Sequence, residues 1–206
     1  MRPYYRETAG WLSVFVWMLM FVTFNANAVQ SPRESVQSAT DELIVKLLES
    51  RELYETDKEM FYKEIDSSLA PFVDFEGFSK GVMAKYYRRA NDEQKVRFTI
   101  SFREALIRTY AKALVEFDNQ EIIVKESDSR QKAPDKARVD LEVHGKDGTI
   151  YPVEYSLVLI GEQWMLRNIV INGINIGLQF RSQFSNYMQQ YKNDIDEVIN
   201  HWSVDV

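Results

Sequence analysis

The chain has 206 residues, 25 basic against 31 acidic for a net charge of −6, 45% hydrophobic residues and no cysteine. The absent cysteines exclude disulfides, thiol catalysis, cysteine-ligated zinc, iron–sulfur clusters and the acylated cysteine of a lipoprotein. The acidic balance argues against nucleic acid as a partner.

Arg2 and Arg6 give the chain a positive start, Trp11 to Phe24 is almost uninterrupted apolar sequence, and Ala26-Asn27-Ala28 is a small-x-small site. That pattern predicts a secretory signal peptide over 1–28, cleaved after Ala28, and export to the periplasm. The apolar run falls short of the ~20 residues a spanning helix needs. Residues 29–206 then form one domain, long enough to bury roughly 70% of its unfolded surface without disulfides.

Ser31-Pro32-Arg33-Glu34 opens a helix with a cap residue, a proline at the first helical position and a Glu three residues after the Ser. Val36, Ala39, Leu43 and Leu47 recur at helical spacing. A shorter helix is predicted over 58–69, stopping at Pro71. After Phe72-Val73-Asp74-Phe75 another is predicted over 76–89, despite Gly77 and Gly81. Asn91 or Asp92 caps the longest helix, with Phe98, Phe102, Leu106, Tyr110, Leu114 and Phe117 along one stripe. The opposite side is basic. From Lys80 to Lys112 nine basic residues stand against three acidic ones, so this segment carries +6 and the rest of the mature chain −13. Two readings fit: a solvated helix face, or a docking patch.

The period changes near Gln120. Glu121 to Glu126 is a β-branched run, and 137–144 alternates strictly, with Ala137, Val139, Leu141 and Val143 on one side. Between them Ser127 to Lys136, polar and containing Pro134, predicts an exposed loop. Gly145 to Gly148 is a turn, and strands are predicted over 150–160 and 163–171 around the two-residue loop Gly161-Glu162. Such a loop fixes the register: Leu159 opposite Trp164, Leu157 opposite Leu166, Tyr155 opposite Asn168 and Val153 opposite Val170. On the other face it sets Val158 opposite Met165, Ser156 opposite Arg167 and Glu154 opposite Ile169. One apolar face implies an antiparallel sheet covered on one side. Gly173 to Gly177 breaks the chain, and helices are predicted over 178–190 and 194–202. The fold expected is α+β: a strongly twisted antiparallel sheet of about four strands wrapped by helices.

The catalytic inventory is thin. His144 and His201 are the two histidines, neither in a cluster that would ligate a metal. No G-x-S-x-G, P-loop or dinucleotide glycine pattern occurs. What stands out is an apolar surplus on facing elements. The inner sheet face offers Val139, Leu141, Val143, Val153, Tyr155, Leu157, Leu166 and Val170, and the long helix offers Phe98, Phe102, Leu106 and Tyr110. Periodicity does not distinguish a close-packed interior of these residues from one holding a pocket. A small isomerase- or dehydratase-like enzyme shares such a scaffold, but needs an acid or base pointing inward, and the inward strand positions carry Tyr155 and Asn168 alone. An adaptor with a filled core is a third reading.

Leu69-Ala70-Pro71-Phe72-Val73-Asp74-Phe75 with Tyr86-Tyr87-Arg88-Arg89-Ala90 resembles the start of the MlaC family, the toluene-tolerance or periplasmic phospholipid-binding proteins. The Phe-x3-Phe then Leu-x3-Tyr-x3-Leu run from Phe98 to Leu114, the stretch Tyr151 to Leu157, Gln163-Trp164, and Gly173 followed by Arg181-Ser182-Gln183-Phe184 are similar to its later blocks, in order. The sequence departs at Gly81-Val82-Met83, Phe180 and Asn193-Asp194. The resemblance implies a carrier, not an enzyme. It would shuttle phospholipid between an outer-membrane lipoprotein–porin complex and an inner-membrane ABC transporter complex with its lipid-binding subunit, and so maintain outer-membrane lipid asymmetry. The tails would occupy an apolar cavity between sheet and helices lined by the twelve residues above, with the lipid as cargo and no other cofactor. Arg88, Arg89 and Arg97 are then candidates to dock a partner or face the headgroup.

Overall fold

The computed structural model describes residues 29–116, 121–126 and 130–202. The predicted signal peptide, Phe117 and the start of the predicted loop at Ser127 lie outside them.

Helix α1 spans Pro32–Ser50 behind the expected capping box: the Glu34 N–H donates to Ser31 Oγ (3.2 Å) and the Ser31 N–H to Glu34 Oε2 (2.9 Å). A single turn, α2 (Leu53–Thr56), leads to α3 (Lys58–Leu69), which starts on the Asp57 cap and stops ahead of Pro71. Helix α4 (Phe75–Met83) runs into a 3-10 turn over Ala84–Arg88. The longest helix, α5, covers Asp92–Glu116; α6 covers Ile176–Gln190 and α7 Ile195–Asn200.

The expected helix over 76–89 is thus two pieces, and Ala84 is the break. Its φ of 49° with ψ of −119° is a conformation that strains an L side chain, at a cost on the order of 1–3 kcal/mol. Glycine has no Cβ to clash there. Ala84→Gly is therefore expected to stabilise the protein by about 1 kcal/mol, read as a higher urea midpoint at unchanged slope. A lower midpoint would show that the methyl group's contacts outweigh the strain.

The strands are β1 (Glu121–Val124), β2 (Arg130–Ala133), β3 (Lys136–His144), β4 (Ile150–Ile160), β5 (Gln163–Ile171) and β6 (Ile174–Asn175). Every ladder is antiparallel, in the order β1-β3-β4-β5-β6, with β2 also on β3. The two strands beyond the expected four, β2 and β6, are short edge pieces. β1 pairs with the end of β3 at Leu141 to His144 and β2 with its start at Lys136 to Arg138, so together they cover one edge. Part of the expected loop over 127–136 is therefore strand, because the first half of β3 would otherwise expose an unpaired edge.

The register also departs from expectation. It holds at Leu159–Trp164, Val158–Met165 and Leu157–Leu166, and then a bulge at Arg167 shifts it. Tyr155 faces Ile169 and Val153 faces Ile171, where Asn168 and Val170 were expected. Ser156 faces Asn168 and Glu154 faces Val170. The cause is the polar pair Arg167-Asn168. Arg167 Nε donates to Asp74 Oδ2 (2.7 Å), and Asn168 Oδ1 accepts from the Gly177 N–H (2.9 Å). One inserted residue satisfies both side chains and brings Ile169 and Ile171 to the inner face.

The apolar side chains form three clusters. An aromatic one joins α4 to α5, α6 and α7 through Phe78, Phe98, Phe102, Phe180, Phe184 and Trp202. A second lies on the sheet under Val36 of α1, and a third, with Leu47, Phe61, Ile65 and Ile107, holds α1, α3 and α5 together.

Candidate binding cavity

Where the three clusters meet they leave a cavity of about 240 Å³. Its floor is the inner sheet face at Tyr155, Leu166, Ile169 and Ile171. α1 and α3 form its roof with Leu43 and Leu69, the C-terminal half of α5 one wall with Leu106, Ile107, Tyr110 and Leu114, and Phe72, Val73, Phe75 and Phe78 the other. Among the described residues no carboxylate, imidazole, amine or guanidinium borders it. A larger cleft of about 400 Å³ beside the start of α1 has a mixed wall, with Gln30, Ser35, Glu42 and Glu162 beside Val29, Pro71 and Trp164. Its carboxylates make it a poorer site for hydrocarbon.

The second wall depends on β5. β6 covers only the end of that strand, and Phe72–Asp74 covers its edge at Leu166: the Leu166 N–H donates to the Phe72 carbonyl (2.7 Å) and the Asp74 N–H to the Leu166 carbonyl (2.9 Å). Asp74, buried, then caps α4 by accepting from the Gly77 N–H (2.8 Å) while holding Arg167. On the roof, α3 is fastened from outside by Lys46–Glu64 (3.0 Å), Arg108–Glu59 (2.8 Å) and the Arg103–Asp66 pair.

Of the twelve residues expected to line a pocket, the structure brings Leu106, Tyr110, Tyr155 and Leu166 to the cavity. Phe98 and Phe102 are fully buried elsewhere, Phe98 stacking edge-on with Phe184 (4.8 Å) and Trp202 (5.0 Å) and Phe102 with Phe78 (5.1 Å). A helix of 25 residues is about 37 Å long, so one continuous stripe serves two environments. Val139, Leu141, Val153 and Leu157 are buried within the sheet cluster, with Val143 half-buried against it. Beyond the bulge Val170 pairs with Glu154 and Asn175, one place out of step with the inward Ile169 and Ile171. The cavity residues that sequence reasoning missed are Ile169 and Ile171, Phe72, Val73, Phe75 and Phe78, Ile107, Leu114 and Ile176, and the roof residues. The adjacent polar pair Arg167-Asn168, interrupting the alternation of β5, was the available signal for the first two.

Arg88 and Arg89 are exposed, Arg89 lying 6.0 Å from the Tyr86 ring centre, whereas Arg97 binds Asp196 (2.5 Å) and Asn200 (2.9 Å) and so ties α5 to α7. Arg103 and Arg108 of the basic segment are spent similarly on Asp66 and Glu59. Among the described residues no group of three or more His, Asp or Glu is arranged to hold a metal ion.

An α+β domain with an apolar cavity whose described wall residues include no acid or base has the build of a binding protein for an apolar ligand. More particularly, residues 37–204 match the MlaC protein family, and the chain belongs to it. It is 41% identical over 182 residues to toluene tolerance protein ttg2D of Pseudomonas putida, covering 87% of this chain and 83% of that one. It is 27% identical over 117 residues to the intermembrane phospholipid transport system binding protein MlaC of Haemophilus influenzae, covering 56% and 55%. In fold it is similar to the phospholipid-binding protein from Ralstonia solanacearum solved in complex with a phospholipid, with a TM-score of 0.75 and 20% identity over 83% of this chain and 94% of that one.

Proposed function

We propose that residues 29–206 are a periplasmic phospholipid carrier, released by cleavage after Ala28, and not an enzyme. The observation that carries this is the apolar cavity between sheet and helices. The names of its relatives support the choice of cargo. A diacyl lipid has about thirty methylenes, so leaving its tails in water costs roughly 25 kcal/mol at ~0.8 each, and crossing the periplasm needs a carrier. An apolar wall without strong polar anchors matches the bilayer interior and lets the cargo leave again. The cavity's 240 Å³ is below the ~300–1,000 Å³ typical of pockets for smaller ligands, so loading requires its walls to part.

The donors and acceptors of cargo would be the outer-membrane lipoprotein–porin complex and the inner-membrane ABC transporter complex with its lipid-binding subunit. Native mass spectrometry of the purified protein, before and after organic extraction, tests the reading. Co-purified diacyl lipid is expected; an empty protein with turnover of a small apolar substrate would favour the isomerase-like alternative.

Arg88 and Arg89 are proposed to dock a partner or face the headgroup, and Arg97, near the same end of α5, could join them only by leaving Asp196 and Asn200. Arg88→Glu together with Arg89→Glu is expected to slow lipid transfer to partner complexes while stability changes by less than ~0.5 kcal/mol. Arg97→Glu removes the exposed pair with Asp196 as well and adds less than about 1 kcal/mol of destabilisation. Transfer at the wild-type rate in the double variant would reduce the patch to a solvated face.

A further inference from the structure

Tyr155 and Tyr110 border the cavity, and neither hydroxyl has a hydrogen-bond partner among the described residues. Tyr155 stands on the inner face of the central strand β4, between Val139 of β3 and Ile169 of β5, so its side chain rises off the sheet toward the helices and meets Phe72 at 6.3 Å between ring centres. It keeps accessible surface although it lies deep in the protein, because that surface faces the cavity. Burial raises the pKa of both hydroxyls, with no hydrogen bond to offset it. Buried tyrosine hydroxyls normally find a partner. An occupant of the cavity is placed to supply one.

The chemistry of the wall narrows what that partner is. A hydrocarbon tail offers no acceptor. A phosphate drawn inside would need a cation, and the wall has none. The remaining acceptor on a diacyl lipid, at the point where the tails begin, is the ester carbonyl. We propose that the hydroxyls of Tyr155 and Tyr110 donate hydrogen bonds to the ester carbonyl oxygens of the cargo. They set the depth of the tails and select ester-linked over ether-linked lipid. This rests on the carrier reading above.

Delipidated full-length mature protein is titrated with a diacyl phosphatidylglycerol and with its dialkyl ether analogue of equal chain length, for wild type, Tyr155→Phe, Tyr110→Phe and the double variant. Wild type is expected to prefer the ester lipid by about three- to tenfold per hydroxyl. Each Phe variant, which keeps the ring, loses its share of that preference while ether-lipid affinity stays put, and the double variant binds both alike. Should either single variant fail to fold, the other decides. Equal binding of the two lipids by wild type, or full preference surviving in the Phe variants, overturns the inference and leaves the carrier standing. Binding of neither lipid by wild type overturns the carrier reading and this inference with it.

Discussion

Ile169→Trp is expected to yield a folded protein that has lost most of its phospholipid. Ile169 sits on the inner face of β5 opposite Tyr155, half-buried, with the cavity in front of it. Tryptophan suits a strand, and its ring has empty volume to enter. The cost should stay under about 1 kcal/mol, well below what overpacking a filled core exacts. Bound phospholipid per protein, measured beside a urea curve, should fall by about fivefold or more. Leu157→Trp provides the contrast. Leu157 is 3% exposed and wedged between Ala137 and Leu166, so the larger ring should cost ~1–3 kcal/mol or more. The first substitution also tests the bulge. In an unbroken hairpin Ile169 would oppose Glu154 on the far face, and a tryptophan there would leave the lipid untouched. Wild-type lipid content in Ile169→Trp therefore refutes the register and the cavity floor together.

The elements legible in the sequence are those governed by local rules. The Ser31 capping box, the stop before Pro71 and the strict alternation of 137–144 each act within a few residues, and each element stands where its signal put it. The two-residue turn sets the hairpin correctly as far as Leu157 and Leu166. Beyond that pair the register depends on partners distant in sequence. Arg167 is drawn to Asp74 and Asn168 to Gly177, and neither attraction leaves a mark in a period-2 count. For the same reason the stripe from Phe98 to Tyr110 does not disclose that its first half meets α6 and α7 and only its second half the cavity. Helical spacing defines a face, not the neighbour along each stretch of it. The roof was illegible for a further reason. Leu43 and Leu69 are ordinary core positions by pattern, and only the placement of α1 and α3 over a gap gives them a wall to form.

Asp74→Ala is expected to be the most destabilising polar substitution among the described residues, at about 2–3 kcal/mol. The carboxylate does two things at once. It caps α4 through the Gly77 N–H, a bond worth ~1 kcal/mol, and it binds Arg167, which holds the bulge. The Asp74 side chain is 9% exposed and that of Arg167 42%. The arginine freed by the change is therefore rehydrated, and the loss stays below the ~3–5 kcal/mol of a wholly buried pair. Asp74→Asn keeps the cap and should cost roughly half as much. Two glycines of α4 make the geometry testable without touching either charge. Alanine is favoured over glycine inside a helix by ~1 kcal/mol, and a Cβ at Gly81 meets nothing within 4 Å. Gly81→Ala should accordingly raise the urea midpoint. A Cβ at Gly77 runs into the Asp74 carboxylate and the Arg167 guanidinium, so Gly77→Ala should lower it and, by prising Phe72–Phe75 from β5, reduce bound lipid as well. The same chemical change, four residues apart on one helix, thus has opposite signs. If both alanines stabilise the protein alike, the Asp74–Arg167 contact does not hold the wall of the cavity.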